Sequence, residues 1–328
     1  LNIDFFYTLF MSGPILFLAS IMATEPITAP PRKKFQIGYG ILIGVLAGFP
    51  FKILPLSIFS SPELSLLIAN LIAYIVSFKK RLILEFKEKN LIARDTYEFI
   101  FNSKEKIVFR AGQYLEWMLN LSKQDSRGNR RYFTIASSPT EENIYLGVKL
   151  PPKPSQFKEK LFNLRIGDKI TVGQLAGDFL IDGEKSNKIV FIAGGIGITP
   201  FRSMLKYLID NKFNNNSKYE TEKKDLILIY CMRGIEDIAY KNIIKEAQEK
   251  IELKVYCLFL DAPSEKIDFD YNLGKFDSSI LTKIIPDFKY RIFYISGPSQ
   301  MVKEYKKVLV LNNVKRNQIR TDYFPGYA

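Results

Sequence analysis

Two stretches of this chain concentrate groups that a folded core does not need. The first is Arg130-Arg131-Tyr132-Phe133-Thr134, which runs through Ile135 into the small polar turn Ala136-Ser137-Ser138-Pro139. A strand is satisfied by Tyr-Phe-Thr-Ile alone. Two guanidinium groups beside two rings and a hydroxyl therefore need their own reason, either a bound ligand or surface salt bridges beside a core strand. The second is Gly194-Gly195-Ile196-Gly197-Ile198-Thr199-Pro200, which joins the apolar run KIVFIA to FRSMLKYLI, a segment at helical spacing. Adjacent glycines permit positive φ and remove Cβ, so backbone N–H groups can approach a ligand closely. Pro200 suits a first helical turn, Thr199 adds a hydroxyl, and a helix N-terminus favours an anion. The spacing G-G-x-G-x-T-P is not the GxGxxG fingerprint, so phosphate binding and a tight structural turn both stand as readings. Gly297-Pro298, after RIFYIS, repeats the logic at a later strand, and ligands of open α/β sheets sit at that edge.

The elements that must position these groups follow from periodicity. From Leu82 to about Asp182, the runs LILEFKEKNLI, TYEFIFNS, IVFRAGQYLEWML, RRYFTIASS, NIYLGVKL and DKITVGQL read as short strands broken by polar turns. The pattern reads as an antiparallel barrel or sandwich, and six such strands in about 100 residues fit a small antiparallel β-barrel. From Lys188 the pattern changes. KIVFIA, DLILIYCM, ELKVYCLFL and RIFYIS are continuous apolar strands. They alternate with helices expected at FRSMLKYLI, EDIAYKNIIKEAQ, Ser278–Ile285 and SQMVKEYKKVLVL. This alternation predicts an α/β doubly wound parallel sheet. Asn211–Lys224 is a polar loop. The expected organisation is multi-domain, with N-terminal transmembrane helices in 1–80, the barrel in 81–183 and the α/β domain in 184–328.

Charge supports that division. The 328 residues carry a net charge of +13, yet residues 1–78 hold seven charged side chains and the rest of the chain holds 74. The head contains three apolar segments, Phe5–Met22 of 18 residues, Phe35–Phe51 of 17 and Leu64–Phe78 of 15. Each is near the roughly 20 residues that a spanning helix needs. Arg32-Lys33-Lys34 and Lys79-Lys80-Arg81 follow the first and third segments. The positive-inside rule then predicts an external N-terminus, an external loop near 52–63 and a body on the cytoplasmic side of a cell membrane, multi-pass. A buried helical hairpin of a soluble protein is the competing reading. Leu1 is not a methionine, which leaves room for upstream helices. The basic charge is lysine spread over the body. It fits a solvated surface or attraction to an anionic membrane or acidic partner, with no stripe arguing for nucleic acid. Histidine is absent, which excludes bis-histidine haem, histidine-bound zinc and Ser-His-Asp or Cys-His catalysis; no metal site is expected. Cys231 and Cys257 lie in apolar runs and read as buried thiols, too few for a four-cysteine iron–sulfur cluster.

In the head, MATEPITAPPRKKFQIGYGILIGVLAG (Met22–Gly48) resembles the Met-Ala-Thr-Asp-Pro-x-Thr-x-Pro loop and Gly-rich helix near the C-terminal end of the Rnf/Nqr family's membrane subunit, over about 75 residues. That family's covalent-flavin Ser-Gly-Ala-Thr motif is missing here. In the body, RRYFTIASSP, AGGIGITP, SGP and the ending DYFPGYA occur in the order and spacing of the ferredoxin–NADP⁺ reductase superfamily, over about 240 residues. This resemblance implies an FAD-binding barrel followed by an NAD(P)-binding domain, with FAD and NADH or NADPH as cofactors. It implies that Arg131 pairs with the FAD pyrophosphate, Phe133 stacks on the isoalloxazine, and Thr134 bonds near the flavin's hydride-accepting nitrogen. Lys149 and Leu150 would follow the ribityl and adenosine portion, with Ser155 near phosphate, although the family's glycines before that serine are lacking. Gly194, Gly195, Gly197, Thr199 and Pro200 would hold the nicotinamide cofactor's phosphates beside Gly297 and Pro298. Ser296 stands where many relatives carry a cysteine next to the nicotinamide, and Phe324 or Tyr327 would cover the flavin's other face. Arg233 would lie near the adenosine ribose and read a 2′-phosphate, or else pair locally with Glu236 or Asp237. NAD versus NADP stays open.

The expected activity is that of a membrane-anchored flavin oxidoreductase, passing a hydride between NAD(P)H and FAD. With no haem or iron–sulfur ligands in the chain, single electrons would pass to or from a ferredoxin, a flavodoxin, a quinone, a membrane flavin subunit or a cofactor in missing N-terminal sequence. The competing expectation is a nucleotide-binding regulatory or assembly subunit without turnover.

Overall fold

The computed structural model describes residues 16–25, 28–30, 33–49, 52–53, 58–59, 61–76, 81–121, 128–181, 186–212, 224–263 and 265–324. The chain divides into two compact units, Leu1–Arg81 with Gln174–Asp178, and Leu82–Gly173 with Phe179–Ala328.

In the first unit, a π-helical turn at Leu18–Met22 precedes helix α1 (Lys33–Gly48) and helix α2 (Pro62–Val76). Between them lie two-residue strands, β1 (Lys52–Ile53) and β2 (Ile58–Phe59), paired antiparallel where a loop was expected. Tyr39 and Ile43 of α1 pack with Leu66, Ala69 and Ala73 of α2 around Leu18, and the Tyr39 hydroxyl donates to Asn70 Oδ1. Among the described residues no helix is long and apolar enough to cross a membrane. This corrects the expected N-terminal transmembrane helices. The 16 residues of α1 reach about 24 Å, short of a hydrocarbon core of about 30 Å. Pro50 in the sequence disfavours helix at the residue before it, and Pro62 is the first residue of α2. The greater part of the Phe5–Met22 segment, Phe5–Ile15, lies outside the described residues, as do the Arg32 and Lys79–Lys80 flanks.

From Leu82 the chain forms six strands, β3 (Leu82–Ala93), β4 (Thr96–Ser103), β5 (Tyr114–Met118), β6 (Arg130–Thr134), β7 (Ile144–Lys149) and β8 (Lys169–Ala176). They form an antiparallel sheet in the order β6-β5-β8-β3-β4-β7. Register shifts in β3 at Phe86/Glu88 and Leu91/Ala93 bend the sheet. The N–H of Ala136, just past β6, donates to Tyr145 O of β7 at 2.9 Å, so the two edges of the sheet meet. Phe86, Phe99, Phe101 and Trp117 fill the interior, with the Phe101 and Trp117 rings 5.1 Å apart. The expected strand IVFRAGQYLEWML shortens to its second half. Arg110 and Gln113 close a turn there, Arg110 N–H to Gln113 Oε1 at 2.8 Å and Gln113 N–H to Arg110 O at 3.1 Å, around Gly112 at φ 96°. A seven-residue helix, α3 (Gln156–Phe162), was not expected. Ser155 caps it, accepting from Lys158 N–H.

A six-stranded, all-parallel sheet follows: β9 (Lys188–Gly194), β10 (Asp225–Met232), β11 (Lys254–Phe259), β12 (Asp270–Leu273), β13 (Ile292–Pro298) and β14 (Ile319–Phe324), in the order β12-β11-β10-β9-β13-β14. Its helices are α4 (Thr199–Lys212), α5 (Lys241–Ile251), α6 (Ser278–Ile284) and α7 (Ser299–Leu311). Apolar side chains of α4 and α5 (Phe201, Met204, Ile244, Ala247) cover one face, while those of α6 and α7 (Leu281, Val302, Tyr305, Leu309) cover the other. This is the doubly wound arrangement. Sequence periodicity missed β12 and β14 and placed α5 too early. Tyr240 adopts φ 59°, so the helix cannot begin before Lys241.

Gly112 couples the barrel to the second sheet's helices. A Cβ there would lie 2.1 Å from Phe179 O and 2.6 Å from Met204 Cε, in a left-handed conformation. Gly112→Ala is expected to lower unfolding free energy by about 2–4 kcal/mol in a denaturant titration. A loss below about 1 kcal/mol would mean that the turn relaxes freely.

Candidate active site

β9 and β13 are neighbours in the sheet although three strands separate them in the chain, and strand order reverses between them. Such a reversal sends the following connections to opposite faces and opens a crevice at the strands' carboxyl ends. Both glycine turns end there. Gly195–Ile198 forms a 3₁₀ turn leading into α4, with Gly195 at φ 51° and nothing within 4 Å of the space where its Cβ would project. Gly197 abuts the other turn, since a Cβ on it would lie 2.3 Å from Ser296 O. Met301 of α7 packs against Gly194, and Gly297 comes within 3.1 Å of Gly194 Cα by the same measure. Tyr230 fixes the turn from beneath. Its hydroxyl donates to Gly195 O at 3.2 Å and accepts from Ala239 N–H at 3.3 Å. Thr199 is buried, and its hydroxyl donates back to Ile196 O at 3.1 Å. Pro200 lies buried in the first turn of α4, and Pro298 is exposed just before α7.

Ser296 is fully buried, and its hydroxyl has no hydrogen-bond partner among the described residues. Opposite it in the β13/β14 register stands Asp322. Burial pushes the Asp322 carboxyl up to about 6, against a smaller opposing effect of the Tyr323 backbone. Sequence reasoning missed Asp322. The ending DYFPGYA drew attention for its aromatics, and only the parallel addition of β14 places that acid beside Ser296. Phe324 pairs its backbone with Pro298, but its side chain, like the whole of Tyr327, lies outside the described residues.

On the barrel side, alternation along β6 puts Arg131 and Phe133 on one face and Arg130 and Tyr132 on the other. The Arg131 guanidinium lies 5.2 Å from the ring of Phe157, and the Phe133 ring lies 5.9 Å from it. Arg131 Nη1 donates to Gly128 O at 3.0 Å and to Arg130 O at 2.6 Å. Phe157, on α3, is a second residue that the sequence did not single out. The salt-bridge reading suits Arg130, whose Nη1 lies 3.3 Å from Glu116 Oε1, an oxygen that the Tyr132 hydroxyl also meets. Burial, then Glu116, pushes the Tyr132 hydroxyl up to about 12. Thr134 is buried at the end of β6.

The remaining expected residues have local partners. Lys149 Nζ pairs with Asp237 Oδ1 at 3.0 Å, and Arg94 Nη2 meets the same carboxylate at 2.8 Å. Burial works against the charge of Asp237, but Lys149, the Gly234 backbone and Arg94 together hold its carboxyl below the usual range. Leu150 N–H donates to Asp95 O at 2.7 Å, and Ser155 is engaged in capping α3. Arg233 follows β10 directly and is exposed. Glu236 and Asp237, its proposed local partners, are taken by Arg94 and Lys149, and no carboxylate pairs with Arg233 among the described residues.

The two motifs border one junction. A Cβ on Gly147 of β7 would lie 2.5 Å from the Tyr240 hydroxyl and 2.7 Å from Thr199 Cγ2. Ser203 of α4 donates through Oγ to Ser137 O, in the turn after β6, at 2.6 Å. Glycine positions that side chains would fill, an unpartnered buried hydroxyl and a ring-and-guanidinium face are features that a flavin and a nicotinamide nucleotide would fit.

Known proteins agree with this geometry. Residues 191–307 match the oxidoreductase NAD-binding domain family. The flavohemoprotein of Candida albicans is 28% identical over 220 residues, covering 66% of this chain and 51% of that protein. The glycine betaine monooxygenase reductase subunit of Chromohalobacter salexigens is 24% identical, covering 70% of this chain and 60% of that one. The chain thus spans little more than half the length of these curated relatives. The FAD/NAD-binding domain of the Vibrio cholerae nitric oxide dioxygenase superposes with a TM-score of 0.62 at 18% identity, covering 74% of this chain and 98% of that one. The cytochrome b5 reductase domain of Ulva prolifera nitrate reductase gives 0.61 at 19%, covering 75% and 96%. The second unit has the two-domain fold of these reductase structures, and its parallel sheet matches the NAD-binding domain family of oxidoreductases.

Asp322 yields a pH test. Its folded-state pKa is raised above the ordinary carboxylate value. The resulting penalty is therefore absent below about pH 4, grows as pH rises, and is complete above about pH 6. In cofactor-free protein, Asp322→Asn is expected to exceed wild type in unfolding free energy by about 2 kcal/mol at pH 8, the gap closing towards pH 4. A gap independent of pH would remove the buried-carboxylate account.

Proposed function

We propose that this chain takes a hydride from NAD(P)H onto FAD and hands single electrons to a separate redox partner. The observation that carries this reading is that β7 meets Thr199 through Gly147, and the turn after β6 meets Ser203 of α4, beside the crevice where strand order reverses. Bound FAD supplies the conversion between two-electron and one-electron transfer. The protein's share is orientation. Arg131 would hold the pyrophosphate through its planar fork, Phe133 would back the ring system with Phe157 behind it, and Thr134 would close the ring's polar edge. Lys149, Leu150 and Ser155 would border the rest of the FAD, Lys149 and Ser155 with polar groups already committed to Asp237 and α3. Gly194, Gly195 and Gly197 would admit nucleotide phosphates to the backbone, with Thr199 and Pro200 shaping the turn and Gly297 and Pro298 its opposite wall. Ser296 would offer its unpartnered hydroxyl to the nicotinamide, and Phe324 would cover the flavin from the C-terminal side. Arg233, with no carboxylate partner among the described residues, would read a 2′-phosphate, which favours NADPH. In this reading 81–183 binds FAD, 184–328 binds the nicotinamide nucleotide and 1–80 forms the head.

These residues include no histidine and two cysteines, so we place the acceptor outside them, as a ferredoxin, a flavodoxin, a quinone, a membrane flavin subunit or a cofactor held by further sequence of the same protein. We extend the proposal to anchoring at the cytoplasmic face of a cell membrane. Supporting it are the sparse charge of the head, its resemblance to the Rnf/Nqr membrane subunit, and Ile37, Ile41, Leu67, Leu71 and Ile75 left exposed on α1 and α2. A non-catalytic nucleotide-binding subunit is the second reading, favoured by the local engagement of Lys149 and Ser155.

Purified protein is expected to be yellow, and to bleach in a stopped-flow cell on mixing with NADPH faster than with NADH. Arg233→Ala should shrink that preference by about tenfold, and Arg131→Ala should weaken FAD binding by at least about tenfold. Protein that stays colourless after reconstitution with FAD would rule the enzyme out in favour of the second reading.

A further inference from the structure

Between barrel and parallel sheet lies a buried ionic cluster to which none of the expected site residues belongs. Arg202, in the first turn of α4, is 5% exposed. It reaches across to Glu141, in the loop after β6, with both terminal nitrogens: Nη2 meets Oε1 at 2.9 Å, and Nη1 meets Oε2. Nη1 also donates to Ala136 O at 3.2 Å, and the guanidinium lies 4.7 Å from the Tyr145 ring and 5.9 Å from the Tyr240 ring. Glu141 Oε2 accepts in addition from Ser138 N–H at 2.6 Å. Burial works against the charge on Arg202, and Glu141 more than offsets it. Glu98 of β4 faces the same cluster, its carboxyl raised by burial.

We propose that the Arg202–Glu141 pair is a positioning device that sets how closely the barrel's flavin face approaches the nicotinamide turn. Arg202 follows Thr199 by three residues, and Glu141 follows Thr134 by seven, so the pair ties the ends of the two motifs to each other. Its geometry suits that task. A bidentate guanidinium–carboxylate contact fixes distance and plane together, which a single lysine contact does not. The carbonyl of Ala136 is held by the same guanidinium nitrogen, so the turn leaving β6 cannot shift without breaking the fork. Other pairs join these parts as well, Arg94 to Glu236, both exposed, and Lys149 to the buried Asp237, but their cations stand in solvent and are screened by it, and a pair buried on both sides resists displacement more strongly. Near-attack alignment between two bound rings is sensitive to shifts of about 1 Å. A loosened fork would therefore cost rate before it cost binding. This inference rests on the proposed function, and adds to it a residue pair that would touch neither cofactor.

The test uses the full chain and the variants Arg202→Met, Arg202→Lys and Glu141→Gln. Hydrogen exchange on cofactor-free protein is expected to accelerate at 135–141 and 199–205 in Arg202→Met and Glu141→Gln, while β4 and β9 stay protected. In stopped flow the limiting rate of flavin reduction should fall at least about tenfold, with FAD and NAD(P)H dissociation constants within about twofold of wild type. Arg202→Lys should recover part of that rate. Faster exchange with an unchanged limiting rate would make the pair a stability brace alone and overturn the inference, as would a rate loss matched by an equal loss of FAD binding. A yellow, reducible wild type whose variants behave normally overturns this inference alone. A wild type that takes up no FAD overturns it together with the functional reading.

Discussion

The site depends on how closely the carboxyl ends of β9 and β13 can approach. Gly197 lies against Ser296 and Gly194 against Gly297 so tightly that a single methyl group on the first would strike a backbone oxygen. That contact places two turns, about a hundred residues apart in the chain, at one crevice. It also fixes where α4 begins, because the 3₁₀ turn of 195–198 must finish before Thr199 can start the helix. From the start of α4 come Ser203 and Arg202, two of the side chains through which the parallel sheet engages the barrel.

The barrel answers with an equally narrow approach. Gly147 admits Tyr240 and Thr199 because it has no side chain, and its neighbour Tyr145 supplies both a carbonyl for barrel closure and a ring for Arg202. Tyr240 reaches this place from a left-handed conformation that shifts the start of α5 to Lys241. Local backbone strain of this kind costs on the order of 1–3 kcal/mol and persists only where surrounding packing holds it. Here the packing is the junction itself.

Much of the architecture was legible beforehand because burial leaves a periodic trace. Apolar runs such as KIVFIA and DLILIYCM announced strands covered on both faces, and both formed at the expected residues. The shortfalls have physical causes. β12 and β14 are an edge strand and a polar, C-terminal one, so neither carries a continuous apolar run. The strand around Arg110 failed because Gly112 takes a positive φ. In the head, hydropathy measures how apolar a segment is and does not set the length of its helices, so α1 and α2 emerged at 16 and 15 residues. Among the site residues, Arg131, Phe133 and the glycine turns could be picked out by type and spacing. Lys149 and Ser155 could not be judged that way, since the partners that engage them, Asp237 and the first turn of α3, are set by folding.

By itself the sequence determined which chemistries were open to this protein. The absence of histidine and the scarcity of cysteine removed whole classes of catalysis from these residues, and the glycine turns and the arginine-aromatic strand stood out as ligand-binding candidates, with a nucleotide implied by their family resemblance. Those are properties of composition and local spacing, which survive in an unfolded chain. The pairing of Asp322 with Ser296, the placement of Phe157 behind Phe133 and the fork between Arg202 and Glu141 were decided only by tertiary structure. Each joins residues between 24 and 61 positions apart. Such contacts arise from strand order and domain packing, which no local pattern encodes.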